Sequence, residues 1–167
     1  MREHSFIRDA QPGDIAGVIT IYNHAIEAGF QTAFTDPFDE ESGAAFFAAH
    51  SPDRYPLFVH VLENQVVGWA SITPYRQGRK AFRYTVEVSY FVHHDHLSVG
   101  IGSALLEHTL NACKELGYKT AIAIILSKNT PSISMVEKFG FAKWAHLPAV
   151  ADFDGEACDH VYYGLKL

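Results

Sequence analysis

Apolar positions along the first part of the chain recur at helical spacing. Ile15, Val18, Ile19, Tyr22 and Ile26 form one stripe over residues 15–28. Pro12-Gly13-Asp14 stands before it as a turn and N-cap, and residues 6–8 read as a strand leading in. Residues 29–38 read as a loop, and 40–50 as a second helix carrying Phe46 and Phe47. The period then shortens. Residues 57–63 and 66–73 are β-rich runs separated by Asn64-Gln65, which predicts a hairpin. Residues 74–81 form a loop bearing Arg76, Arg79 and Lys80.

A long strand is expected over 82–92. Its alternation sets Tyr84, Val86, Val88, Tyr90 and Val92 on one face and Thr85, Glu87, Ser89 and Phe91 on the other. After a glycine turn, Ile101, Leu105, His108, Ala112 and Leu116 make a helical stripe that stops at Gly117, a suitable C-cap. Residues 120–126 are almost continuously apolar, as a strand covered on both faces must be. Residues 82–126 therefore read as a βαβ unit. Asn129-Thr130-Pro131 opens a shorter helix, capped by Asn129 or Thr130 and closed at Gly140, and two last strands are expected around 141–146 and 159–167. The economical architecture is an α/β (α+β) domain, a mixed central sheet with helices on both faces.

The strand, glycine turn and helix start at Tyr90-Phe91-Val92 and Val99-Gly100-Ile101-Gly102-Ser103 carry the first chemical signal. Glycines let backbone approach a ligand, and the unpaired N–H groups of a first helical turn, backed by the helix dipole, receive a pyrophosphate. A chain of 167 residues, 48% apolar, buries one core, so a single domain over 1–167 is expected. Cys113 and Cys158 are too few and too far apart for a disulfide framework or paired metal motif. His93, His94 and His96 cluster in a turn without a second ligand group at a recognised spacing, so no metal is expected. A net charge of −6 with no basic run argues against nucleic acid or anionic lipid as partner. Met1-Arg2-Glu3-His4 opens no basic-then-apolar leader and no run is long enough to span a bilayer, so the expected location is cytoplasmic.

These residues resemble the GNAT superfamily of N-acetyltransferases. Its acyl-coenzyme A signature is Gln/Arg-x-x-Gly-x-Gly/Ala, which stands here as Leu97-Ser98-Val99-Gly100-Ile101-Gly102, with leucine at the first polar position. Asn129-x-x-Ser132 and Lys138-Phe139-Gly140-Phe141 follow in register. Within the superfamily the chain is similar to the phosphinothricin and methionine sulfoximine acetyltransferases, through Ile21-Tyr22-Asn23, Asp53-Arg54-Tyr55-Pro56, Gly68-Trp69-Ala70, Thr85-Val86-Glu87 and the segment 152–159. The resemblance implies the superfamily fold, acetyl-CoA as cosubstrate, the α-amino group of a small amino-acid analogue as acceptor, and a homodimer.

It also implies roles. Ser89, Tyr90, Phe91 and Val92 would pair with the pantetheine arm as though it were an added strand, and Leu97 to Ser103 would hold the pyrophosphate. Asn129 and Ser132 match positions beside the coenzyme. Glu87 matches the family's base, with Val86 and Val88 flanking it at the substrate, and Arg76, Arg79 and Lys80 would grip the acceptor's acidic end. Two departures stand out. One residue is inserted relative to the family's Lys-x-Arg spacing, and Val136 replaces the tyrosine with which many members protonate the departing thiolate. Tyr162 and Tyr163, on the last strand, are candidates to substitute for it but read rather as packing residues. Neither cysteine falls in the signature, so direct attack is expected and no acetyl-enzyme. The alternatives are another acceptor (polyamine, aminoglycoside or protein N-terminus) and a non-catalytic acyl-coenzyme A sensor. The loops 29–38 and 150–159 are expected to set specificity.

Overall fold

A computed structural model describes residues 4–167; the leader expectation rests in part on Met1, Arg2 and Glu3, which lie outside the described residues. Strand β1 (Ser5–Asp9) runs into a 3₁₀ turn and helix α1 (Ile15–Ala28), then α2 (Glu40–Ala48). Asp14 does not cap α1 through its side chain. It bonds Arg8 at 2.6 Å and the Gln11 N–H at 2.7 Å, which tie the strand to the turn instead. Strands β2 (Leu57–Leu62) and β3 (Gln65–Pro74) pair antiparallel. Their turn is Glu63-Asn64, one residue earlier than expected, and both residues take positive φ (46° and 66°), as a two-residue hairpin requires.

The expected strand over 82–92 begins later, as β4 (Thr85–Val92), because a 3₁₀ turn occupies Lys80–Phe82. Helix α3 (Ile101–Glu115) and strand β5 (Thr120–Leu126) complete the βαβ unit, with β5 parallel to β4. The α3 stripe is rotated from the expected one. Leu105, Leu106, Thr109, Leu110 and Cys113 face the sheet, while His108, Ala112 and Leu116 sit at its margin. Helix α4 (Thr130–Lys138) is capped by Asn129, whose side chain accepts the Ser132 N–H at 3.3 Å.

The C-terminal strands are longer than expected. β6 (Ala142–Phe153) and β7 (Glu156–Lys166) form a hairpin that absorbs 150–159, read from sequence as a loop. Asp154-Gly155, both at positive φ, makes its turn, and shifts of register between Lys143/Ala145 and Leu147/Ala151 break the alternation that would have marked it. The seven strands of the described residues share one mixed sheet, ordered β1-β2-β3-β4-β5-β7-β6.

Helices cover both faces. On one, Val18, Ile21 and Tyr22 of α1, with Phe46 and Phe47 of α2, pack on Val59, Trp69 and Phe91. On the other, Leu106, Leu110 and Cys113 of α3, with Val136 of α4, pack on Ile72, Val86, Val88 and Ala121. Among the described residues no helix is long and apolar enough to cross a membrane.

Candidate active site

One break in the sheet places the site. β4 pairs with β3 along its whole length, and β5 likewise with β7. Between themselves β4 and β5 pair only at Thr85↔Thr120, Val86↔Ala121 and Glu87↔Ile122. Beyond Glu87 the two strands separate and leave inner edges free for another extended chain. A cavity of about 590 Å³ fills the gap, within the range of ligand clefts. Val88 to Val92 line one wall and Ala123 to Ile125 the other.

The mouth of α3 closes one end. Gly100 occupies its N-cap position at φ 92°, a left-handed conformation that penalises any Cβ by about 1–2 kcal/mol. The first bond of the helix is Ala104 N–H to Gly100 O, 3.0 Å, so the N–H groups of Ile101, Gly102 and Ser103 lie ahead of the ladder. Among the described residues they find no protein acceptor. Gly102 matters for space: a Cβ there would sit 3.3 Å from Met135 Cε and 3.6 Å from Val92 Cγ2, inside the cleft. The opening suits a nucleotide pyrophosphate, and the free strand edge an amide-bearing arm.

Helix α4 supplies the far side through Ser132, Met135 and Lys138. The Tyr90 hydroxyl and Ser132 Oγ lie 3.0 Å apart across the cleft, and Ser103 Oγ donates to Met135 Sδ at 3.2 Å. Ser89, Tyr90, Phe91, Val92, Leu97, Ser98, Gly100, Gly102, Ser103, Asn129 and Ser132 line the cavity together. Val99 and Ile101 do not: Val99 is 69% exposed and the Ile101 side chain is buried beside Leu105. Lys138, Met135 and Gln31 were missed as lining residues. Only Lys138 carried a signal, as the first residue of the Lys-Phe-Gly-Phe segment.

Glu87 is half-buried at the point where the strands part, opposite Thr73 on β3 and Ile122 on β5. Burial pushes its carboxyl above the ordinary glutamate range. Tyr22 of α1 is pushed up too, first by burial and further by the Glu87 charge, although its hydroxyl meets Thr32 Oγ1 at 3.2 Å. Val86 and Val88 face the opposite side. Val86 is sealed under α3 and its side chain is unavailable to substrate, while Val88 touches the cleft from the core.

Arg76, Arg79 and Lys80 are brought together, but outside this cleft. With Arg54 and Arg83 they line a separate basin of about 500 Å³ at the other end of β4, and among the described residues no carboxylate lines it. Neither Tyr162 nor Tyr163 lines the cleft. Tyr163 is buried and donates to Glu137 Oε1 at 3.1 Å, and Tyr162 pairs with Ile124 and Ala145 in the sheet. Val136 is fully buried in the α3-side core. Both cysteines are buried free thiols, and burial pushes the Cys113 thiol up to about 12.

A parallel strand pair that opens at a half-buried carboxylate, with a helix mouth at the far end of the gap, suits an acyl-coenzyme A-dependent transferase. The chain belongs to the acetyltransferase (GNAT) family, whose model matches residues 19–141. It is thus an acetyl-CoA-dependent N-acetyltransferase by class. Its relatives include the L-amino acid N-acyltransferase MnaT of Escherichia coli, 32% identical over 96% of this chain and 93% of that protein. The L-methionine sulfoximine/L-methionine sulfone acetyltransferase of Salmonella typhimurium is also 32% identical, over 96% of this chain and 94% of its own length. The crystal structure of a GNAT superfamily phosphinothricin acetyltransferase from Sinorhizobium meliloti in complex with acetyl-CoA superimposes with a TM-score of 0.92 at 28% identity, covering 98% of this chain and 88% of that one.

Proposed function

We propose that this chain transfers the acetyl group of acetyl-CoA to the α-amino group of a small amino-acid analogue of the phosphinothricin or methionine sulfoximine type. The observation that carries the reading is the parting of β4 from β5 at Glu87, in line with the bare mouth of α3. The relatives named above supply the acceptor class.

The chain's own groups divide the work. The N–H groups of Ile101, Gly102 and Ser103 hold the pyrophosphate, and the open edge of Ser89 to Val92 pairs with the pantetheine amides. Bound acetyl-CoA supplies a thioester carbonyl as electrophile, which an N–H of the same edge polarises; one such donor is worth about 3 kcal/mol elsewhere. Glu87 takes the proton that the amine must lose, directly or through water, and its raised pKa brings it nearer the operating pH. A thiol titrates close enough to neutral for the thiolate to depart without a protein acid, so a buried valine at 136 is no obstacle.

Arg76 stands two residues beyond Pro74, which pairs with the neighbour of Glu87, and is the cation assigned to the acceptor's acidic end. Arg79 and Lys80 keep the basin positive. Five cations, and among the described residues no carboxylate, in that basin count against a polyamine acceptor. The reaction so written assigns no step to a metal. Thiol release measured side by side with phosphinothricin, methionine sulfone and spermidine tests the reading: turnover of the first two is expected, and a response to spermidine alone defeats it.

A further inference from the structure

Three histidines that line neither cavity meet beside α1, two of them half-buried and His94 exposed. His24 comes from α1, His93 from the residue after β4, and His94 from the 3₁₀ turn His94–His96. One nitrogen from each lies within 4.8 Å of the other two. The sequence hid this group, because its third member stands 70 residues from His94.

The rings are held and their free nitrogens are accounted for. The His93 N–H bonds the Val67 carbonyl at 2.8 Å, which fixes the backbone under the ring. His93 Nδ1 accepts the Asp95 N–H at 3.2 Å, which sets the ring proton on Nε2; to ligate an ion through Nε2 the ring must move that proton to Nδ1 and give up this bond. His94 Nε2 lies 3.1 Å from Asp95 Oδ1, the carboxylate–imidazole contact that orients a ligand histidine. That leaves His94 Nδ1, which meets His24 Nδ1 at 2.8 Å. Ring centroids of 4.0 Å for His24–His94 and 4.9 Å for His24–His93 bring the two elements face to face.

Two imidazoles on a tetrahedral zinc ion, each with a bond of about 2.0–2.1 Å, place their nitrogens about 3.3 Å apart. The His24–His94 pair therefore needs to open by only about half an ångström to admit the ion. Neutral imidazoles select zinc-class transition metals over magnesium or calcium, which prefer oxygen. Three ligands leave a fourth position for water, and His94 is exposed, so that position has solvent access.

We infer that His24, His93 and His94 form a binding site for a divalent zinc-class metal, oriented by Asp95, which clamps α1 to the β4–α3 connection. That connection continues into Leu97 to Ser103. An ion there stiffens the segment that leads to the phosphate-binding turn, while taking no part in acetyl transfer. The site stands whatever the acceptor proves to be.

The test uses full-length protein free of any polyhistidine tag, treated with chelator and dialysed. Calorimetric titration with zinc chloride is expected to give one equivalent per chain at micromolar affinity or tighter. Cobalt(II) is expected to give visible absorption bands of four-coordinate geometry. His24→Ala and His94→Ala should each weaken zinc uptake by at least about a hundredfold, and Asp95→Asn by about tenfold as an orienting group. His146→Ala, on β6, serves as control and should leave uptake unchanged. Zinc should also raise the melting temperature of the parent protein and not that of the His24 and His94 variants. The inference is overturned by absence of saturable uptake at micromolar zinc, or by uptake that survives loss of His24 and His94 together.

Discussion

Replacing Glu87 by glutamine keeps the side chain's shape and removes its charge, so two readouts should move in opposite directions. General-base catalysis is worth about 10²- to 10⁴-fold, or about 2.7–5.4 kcal/mol of barrier. Glu87→Gln should therefore lower kcat about a hundredfold or more in a thiol-release assay at pH 7.5, while calorimetric acetyl-CoA affinity stays within about twofold of the parent. Stability should rise. Burial raises the folded-state pKa of Glu87, so the folded protein disfavours the carboxylate relative to the unfolded chain. That penalty is absent below the unfolded pKa and grows as pH climbs through the folded one. Glu87→Gln should thus melt higher than the parent at pH 8, with the gap narrowing towards pH 5. The kcat/KM profile of the parent should carry an acid limb above the ordinary glutamate range, which the variant lacks. A variant that retains more than about a third of parental kcat refutes the assignment of the base.

Other expectations follow from the same geometry. Gly102→Val drives a branched side chain into the space between Met135 and Val92, and should raise the acetyl-CoA Kd more than about tenfold without loss of fold by circular dichroism. Gly100→Ala strains the φ 92° position and should cost about 1–2 kcal/mol of stability by urea denaturation, together with coenzyme affinity. Arg76→Ala removes a charge-assisted contact worth about 1.5–3 kcal/mol, so the acceptor KM should rise about tenfold or more with kcat little changed; an unaltered KM dismisses Arg76. Because Cys113 and Cys158 are both buried, Ellman's reagent should titrate neither thiol in the folded protein. Mass spectrometry after acetyl-CoA alone should find no acetylated enzyme.

Local chemistry is what the sequence made legible. The helix over 15–28 and the strand over 120–126 fall where periodicity and apolar continuity placed them, since each is decided by its own residues. The glycine turn before α3 is another such case. The parting of β4 from β5 is not, because nothing in the residues of either strand records where pairing with the other stops. The register shifts of β6 interrupted the alternation that would have shown a twelve-residue strand. Arg76, Arg79 and Lys80 are near one another in sequence, and the chain fold sets them in a basin of their own with Arg54, from a distant segment. His24 stayed invisible beside His93 and His94 for the same reason.

A sheet ordinarily keeps its unsatisfied edges at its margins, where they invite other chains to join and are blunted by charge, proline or cover. This one carries such edges in its interior, along 88–92 and 123–125, beneath α3 and α4 on one face. Neighbouring molecules cannot easily zip onto them there, whereas a slender amide-bearing guest can slide in endwise. The seam therefore buys stickiness towards one kind of visitor without inviting self-association. Amide hydrogen exchange along those two stretches becomes a direct gauge of whether the guest is home.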